Sequence, residues 1–107
     1  MLDKNLSNEI VNRIIHKIKV NKIILFGSYS KGFERKDSDI DLLIITDENK
    51  RQIELMIEIR KMLSGLKKPF DILVYNADNF YKRADSKTSF ERDILDTGTL
   101  LYGKKHT

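Results

Sequence analysis

The sequence predicts an α/β (α+β) domain, a small sheet flanked by helices in the order αβαβαβα, on three observations. Residues 22–26, 38–46 and 70–75 are short runs of consecutive apolar residues, which suits strands buried on both faces rather than half-solvated ones. Segments with helical periodicity lie between and around these runs. At 107 residues the chain has room for one domain, 1–107, with one core. Spacing alone does not give the strand order.

The elements follow in turn. In residues 6–20, Leu6, Ile10, Val11, Ile14, Ile15 and Ile18 recur at helical spacing, while Glu9, Asn12, Arg13 and His16 take the other face. This is an amphipathic helix, with His16 at its surface. Residues 22–26 read as a buried strand, ended by Gly27-Ser28. After a polar loop, residues 38–46 carry Ile40, Leu42, Leu43, Ile44 and Ile45, a second strand apolar on both faces. Residues 48–66 read as a long helix. Leu55, Met56, Ile59, Met62, Leu63 and Leu66 form its apolar stripe, and Ile53 and Ile57 widen it. An arc that wide fits either a deeply buried helix or a partner surface, to which methionines are suited. Pro69 punctuates the turn before the third strand, residues 70–75. From Asn76 on, one or two short helices precede a strand-like piece at Thr99–Tyr102.

Composition narrows the class. Hydrophobic residues make up 40% and charged residues 34%, as in soluble globular proteins. No apolar run approaches the roughly 20 residues of a membrane helix, and the N-terminal residues lack a signal-peptide core. Without cysteine, neither a disulfide framework nor a thiolate metal site is available, and the cytoplasm is the expected compartment. His16 and His106 are too isolated for a zinc site. The net charge of +4 comes with 20 Lys and Arg spread along the chain rather than gathered in an arm or stripe, so specific nucleic-acid binding is not expected.

Buried strands rarely carry charge, because an unpaired carboxylate is costly there. Here two do. Asp39 and Asp41 flank Ile40, and strand pleating points both carboxylates to one face. Asp71 stands near the start of the third strand. If these strands are neighbours, three carboxylates converge at one end of the sheet and repel unless cations neutralise them. Oxygen ligands without His or Cys suit a hard ion, Mg²⁺ or Mn²⁺. Two such ions are the apparatus of in-line displacement at phosphorus. Gly27 lets the backbone approach a ligand, and Ser28 adds a hydroxyl and the following amides if they open a helix. Lys31, Arg35 and Lys36 in the loop can balance triphosphate charge. Gly27 and Gly32 have Walker A spacing, but Phe33 stands where its lysine must be, so this is not a P-loop. Singly, each feature also has a plain reading: a turn, a strand-start cap, a strand-edge charge.

Together they resemble a known pattern. Gly27-Ser28, ten residues, then Asp39-Ile40-Asp41 is similar to the signature of the DNA polymerase β-like nucleotidyltransferase superfamily. Phe26-Gly-Ser-Tyr-Ser-Lys-Gly32 and Asp37-Ser-Asp-Ile-Asp-Leu42 resemble its minimal nucleotidyltransferase (MNT) branch, and Phe70-Asp71-Ile72-Leu73-Val74 resembles the strand bearing the family's third carboxylate. The resemblance implies that superfamily's fold with a mixed sheet, and transfer of a nucleotidyl group, AMP from ATP. By it, Asp39 and Asp41 ligate two Mg²⁺ ions. Asp71 helps hold one of them and orients or deprotonates the attacking hydroxyl, and Gly27 and Ser28 hold the triphosphate. Lys31 departs from the arginine of many relatives, keeping the charge without the bidentate fork. Asp37 shares the parity of Asp39 and Asp41 but precedes the strand and is set aside.

The resemblance also implies a partner. MNT proteins commonly act as antitoxins to all-helical HEPN-domain ribonuclease toxins, and some transfer AMP onto a toxin tyrosine. Larger superfamily members carry a second domain for the acceptor, for which 107 residues leave no room, so another chain is expected to supply the acceptor site. The alternatives are a non-catalytic module that neutralises a helical partner by occlusion, an enzyme modifying a small molecule, and a nucleic-acid binder. Clustered carboxylates speak against the first, the missing acceptor domain against the second, and an acidic cleft against the third. An oligomer stays open.

Overall fold

The computed structural model describes residues 2–32, 34–35 and 38–104. Phe33, Lys36, Asp37 and His106, all singled out above, lie outside the described residues.

Helix α1 (Lys4–Ile15) starts where the Asp3 carboxylate accepts a hydrogen bond from the Leu6 amide at 3.2 Å, satisfying one of the amides a helix start leaves open. It stops short of residue 20, because Val20 already belongs to strand β1 (Val20–Phe26). A four-residue turn of helix, α2 (Ser28–Lys31), follows directly. Strand β2 (Ile40–Thr46) leads to helix α3 (Gln52–Leu63), and then to strand β3 (Phe70–Asn76). Helix α3 begins later than residue 48, because Glu48 is engaged elsewhere. Its amide donates to Thr46 Oγ1, and its carboxylate accepts from the Lys19 amide. Helices α4 (Ala77–Ala84) and α5 (Phe90–Thr97) precede a short strand β4 (Thr99–Tyr102).

The sheet is mixed, in the order β3-β2-β1-β4. Strand β1 runs antiparallel to both its neighbours, β2 and β4, whereas β2 and β3 are parallel and joined through α3. Both faces are covered, as strands apolar on both sides require. On one face, Leu42, Ile44, Ile72 and Val74 pack with Ile10 and Ile14 of α1 and with Leu55 and Ile59 of α3. On the other, Ile24, Leu43 and Ile45 pack with Phe80 and Ala84 of α4 and Ile94 of α5. Each fully buried Ile, Leu or Phe contributes about 1.5–3 kcal/mol relative to exposure. Arg13 leaves the polar face of α1 and donates to the carbonyls of Met62 and Ser64, pinning α1 to the end of α3.

The broad stripe on α3 divides. Leu55, Ile59 and Leu63 are buried, and Met56, Met62 and Leu66 pack partly against the core. Ile53 and Ile57, one helical turn apart, are exposed. Helix α3 is therefore not buried all round. Among the described residues no helix is long and apolar enough to cross a membrane.

Candidate active site

Residues of odd number in β2 and β3 face α4 and α5, as Leu43, Ile45, Leu73 and Tyr75 do. By the same pleat Asp41 and Asp71 lie on that face. They occupy the second positions of two parallel strands, and the register pairs them directly, Asp41 with Asp71. Across the other edge of β2, Asp41 pairs with Phe26. A row Asp71, Asp41, Phe26 therefore crosses three strands where β1 ends and the parallel pair begins. Asp39, exposed and just before β2, sits at the same end. The structure thus sets Asp41 and Asp71 side by side, through a register that spacing does not reveal, and leaves Asp39 at the same end of the sheet but outside the ladder.

Gly27 closes the row. It is the N-cap of α2, with φ 72° and ψ −149°, a conformation that disfavours any residue bearing a Cβ. The space for that Cβ is already filled: it would overlap Asp41 Oδ2 and lie 3.0 Å from Asp41 Cγ. The turn between β1 and α2 is thus pressed directly onto the carboxylate. Ser28 follows, half-buried, and its hydroxyl makes no hydrogen bond among the described residues. Ser30 Oγ anchors the turn, donating to the Thr97 carbonyl at 3.2 Å and lying 3.0 Å from Thr99 Oγ1. Lys31, in the last position of α2, is exposed. Arg35 forms a local turn in which its amide donates to Ser38 Oγ and its carbonyl accepts from the Ser38 amide.

Electrostatics sets Asp41 apart. Burial pushes its carboxyl above the ordinary range, and the charges of Asp71 and then Asp39 push the same way. Among the described residues no lysine or arginine forms an ion pair with any of the three aspartates. Nor do three acidic or histidine groups stand close enough among them to make a closed cation site. Like charges without a counter-ion are expected to stay apart. The donor set, carboxylate oxygens with uncompensated charge, fits a hard divalent cation.

Two contacts made by α5 are not legible in the sequence. Tyr75, on the same face, donates from its hydroxyl to Glu91 Oε2 at 2.8 Å and so ties β3 to α5, with Glu91 buried. The Tyr75 phenol is pushed up to about 12 by burial, by that hydrogen bond and by the Glu91 charge, against an opposing effect of Arg83. Phe90 packs edge-to-face on Phe26, with ring centroids 5.9 Å apart. Ser89, a good N-cap residue, is the one sequence signal that places Phe90 at a helix start.

Comparison with known proteins bears on this geometry. The family described as Polymerase beta, Nucleotidyltransferase matches residues 8–107. A protein of Methanocaldococcus jannaschii named as a protein adenylyltransferase is 32% identical over 105 residues, covering 95% of this chain and 100% of that protein. A second from the same organism, named likewise, is 36% identical over 84 residues, covering 78% and 81%. Among solved structures, a toxin–antitoxin with AMP-PNP superposes with a TM-score of 0.69 at 25% identity, over 92% of this chain and 74% of that one.

Proposed function

The chain belongs to the polymerase beta nucleotidyltransferase family and is a nucleotidyltransferase, and we propose that it transfers AMP from ATP to a tyrosine hydroxyl of a HEPN-type helical toxin, for which it is the antitoxin. The observation that carries this reading is the placement of Asp41, in register with Asp71 on one side and against the Gly27 turn on the other. A carboxylate pair beside a glycine turn that opens a short helix is what metal-assisted chemistry at phosphorus needs. The names of the M. jannaschii relatives support protein as the acceptor, and the toxin–antitoxin neighbour with AMP-PNP supports both the nucleotide and the partner. The exposed pair Ile53 and Ile57 on α3 is compatible with a protein partner.

In this reading residues 1–107 act as one catalytic domain in the cytoplasm. Asp39, Asp41 and Asp71 would hold two Mg²⁺ ions, with Mn²⁺ as a substitute. When bound, the ions supply charge neutralisation at the attacking and leaving oxygens of an in-line displacement. Gly27 and Ser28 receive the triphosphate through backbone amides and the Ser28 hydroxyl, and Lys31 adds positive charge. Asp71 orients the acceptor hydroxyl and takes its proton on a carboxylate oxygen. The acceptor oxygen then bonds to the α-phosphorus of ATP and pyrophosphate leaves.

Radiolabel position is the test. Incubated with the helical protein encoded beside it, the chain should move label from α-labelled ATP onto that protein and none from γ-labelled ATP. Transfer from the γ position, or from neither, would falsify the proposal.

A further inference from the structure

Phe90 is the first residue of α5 and is 51% exposed. Few large apolar side chains are left outside in this fold. Among the described residues the others are Ile53, Ile57 and Tyr102. Phe90 is not at the tip of a mobile loop. Helix α5 is fixed on both sides of it, by Ser89 Oγ accepting from the Arg92 amide at 3.0 Å and by the Tyr75 to Glu91 hydrogen bond. Arg92 Nε further donates to the Ala84 carbonyl at 2.7 Å, and Ile94 is buried in the core. A rigid helix start therefore holds an aromatic ring out toward solvent.

The position of that ring is specific. Its neighbour is Phe26, which pairs with Asp41 across the sheet and is bonded directly to Gly27. Extending the row gives Asp71, Asp41, Phe26, Phe90. The rings meet at an interplanar angle of 85°. An edge-to-face contact occupies at most one face of Phe90, so at least one face is not covered by Phe26. Asp71, which receives the acceptor, stands at one end of the row, and an open π-face stands at the other. The Phe26–Phe90 pair is the aromatic surface adjoining the turn at which the phosphates would lie, and a nucleoside, which leaves the α-phosphorus at an angle to the line of acceptor and pyrophosphate, can turn toward it.

We propose that Phe90, backed by Phe26, is the nucleobase-binding residue of this site, holding the base of the nucleoside triphosphate by stacking. The inference rests on the nucleotide reading above and adds where the base goes. Stacking tolerates any base, since each has a π-face, so Phe90 contributes affinity rather than discrimination between ATP and GTP.

Calorimetric titration with Mg²⁺-ATP and with Mg²⁺-tripolyphosphate separates base binding from phosphate binding. Phe90→Ala should lose about tenfold or more in ATP affinity while binding tripolyphosphate as the native chain does. Phe90→Tyr should restore ATP binding. Phe90→Leu, which keeps apolar bulk without a π-face, should behave like the alanine variant. Native ATP affinity in Phe90→Ala or in Phe90→Leu overturns the proposal, as does equal loss of both ligands. If the native chain binds neither ligand, the nucleotide reading itself fails, and that result is distinct from native ATP binding that ignores Phe90.

Discussion

The carboxylate of Asp41 fills the space that a side chain on Gly27 would need. Two sequence features fourteen residues apart, a glycine after a strand and an aspartate near the start of the next, are thereby one structural unit. The glycine bends at a positive φ, and the antiparallel pairing of Phe26 with Asp41 delivers the carboxylate beneath the bend.

Gly27→Ala should therefore damage the site and the fold together. A Cβ there strains the backbone by about 1–3 kcal/mol and forces Asp41 aside. The variant is expected to melt several degrees lower and to lose Mg²⁺-ATP binding. Native melting with native ATP affinity would show that the contact with Asp41 is of no consequence.

The aspartates should destabilise the metal-free protein. Asp41 is raised by burial, then by Asp71 and Asp39. A raised carboxyl favours the fold below the unfolded value and loses that contribution as pH climbs through the folded value, so repulsion is in force at pH 7. Asp39→Asn/Asp41→Asn should melt higher than the native chain in EDTA at pH 7, with the gap closing toward pH 4. The same variant should no longer gain stability from Mg²⁺ and ATP, which the native chain should bind only when the metal is present. Equal ATP affinity with and without EDTA counts against the metal assignment.

Tyr75 makes an alkaline prediction. Its phenol is pushed up to about 12 from an ordinary value of 10. The neutral form is the one the fold favours, so its contribution is complete below pH 10 and is lost as pH rises through 12. Tyr75→Phe should flatten the fall in stability over that window. It should also cost about 1–2 kcal/mol at pH 7, since Glu91 is left buried without its donor. Denaturant melts at pH 8 and pH 11 measure both, and identical slopes in the two proteins would contradict the assignment.

Nucleic acid should bind weakly if at all. With 20 Lys and Arg dispersed over the chain, any gel retardation is expected to vanish between low and physiological salt. Sequence-selective binding that survives physiological salt would speak for a nucleic-acid function.

The sequence carries the local geometry of the site and little of its assembly. Alternation about Ile40 predicts Asp39 and Asp41 on one face, but the strand expected from residue 38 starts only at Ile40, so Asp39 precedes it. The apolar strands are enough to demand helices on both sides of the sheet. The pairing of Asp41 with Asp71 depends on β2 lying between β1 and β3 in parallel with the latter, which no spacing encodes. Helix ends shift for a similar reason. Glu48 looks helical by pattern but is drawn away by Thr46, the last residue of β2, and by Lys19, which precedes β1. Phe90 and the Tyr75–Glu91 bond arise only when α5 docks on β1 and β3, so their roles are invisible in a linear reading.

Asp71 carries the central claim, because the proposed function assigns it to the acceptor rather than to the nucleotide. Its loss should cut turnover by roughly 10²–10⁴-fold while leaving ATP affinity nearly intact. The most direct measurement is the intact mass of the neighbouring helical protein after incubation with ATP, Mg²⁺ and either the native chain or Asp71→Asn. The account predicts a gain of one or more AMP masses with the native chain and none with the variant. No gain with either, together with full inhibition of the neighbour by Asp71→Asn, would contradict it and leave a binding module in its place.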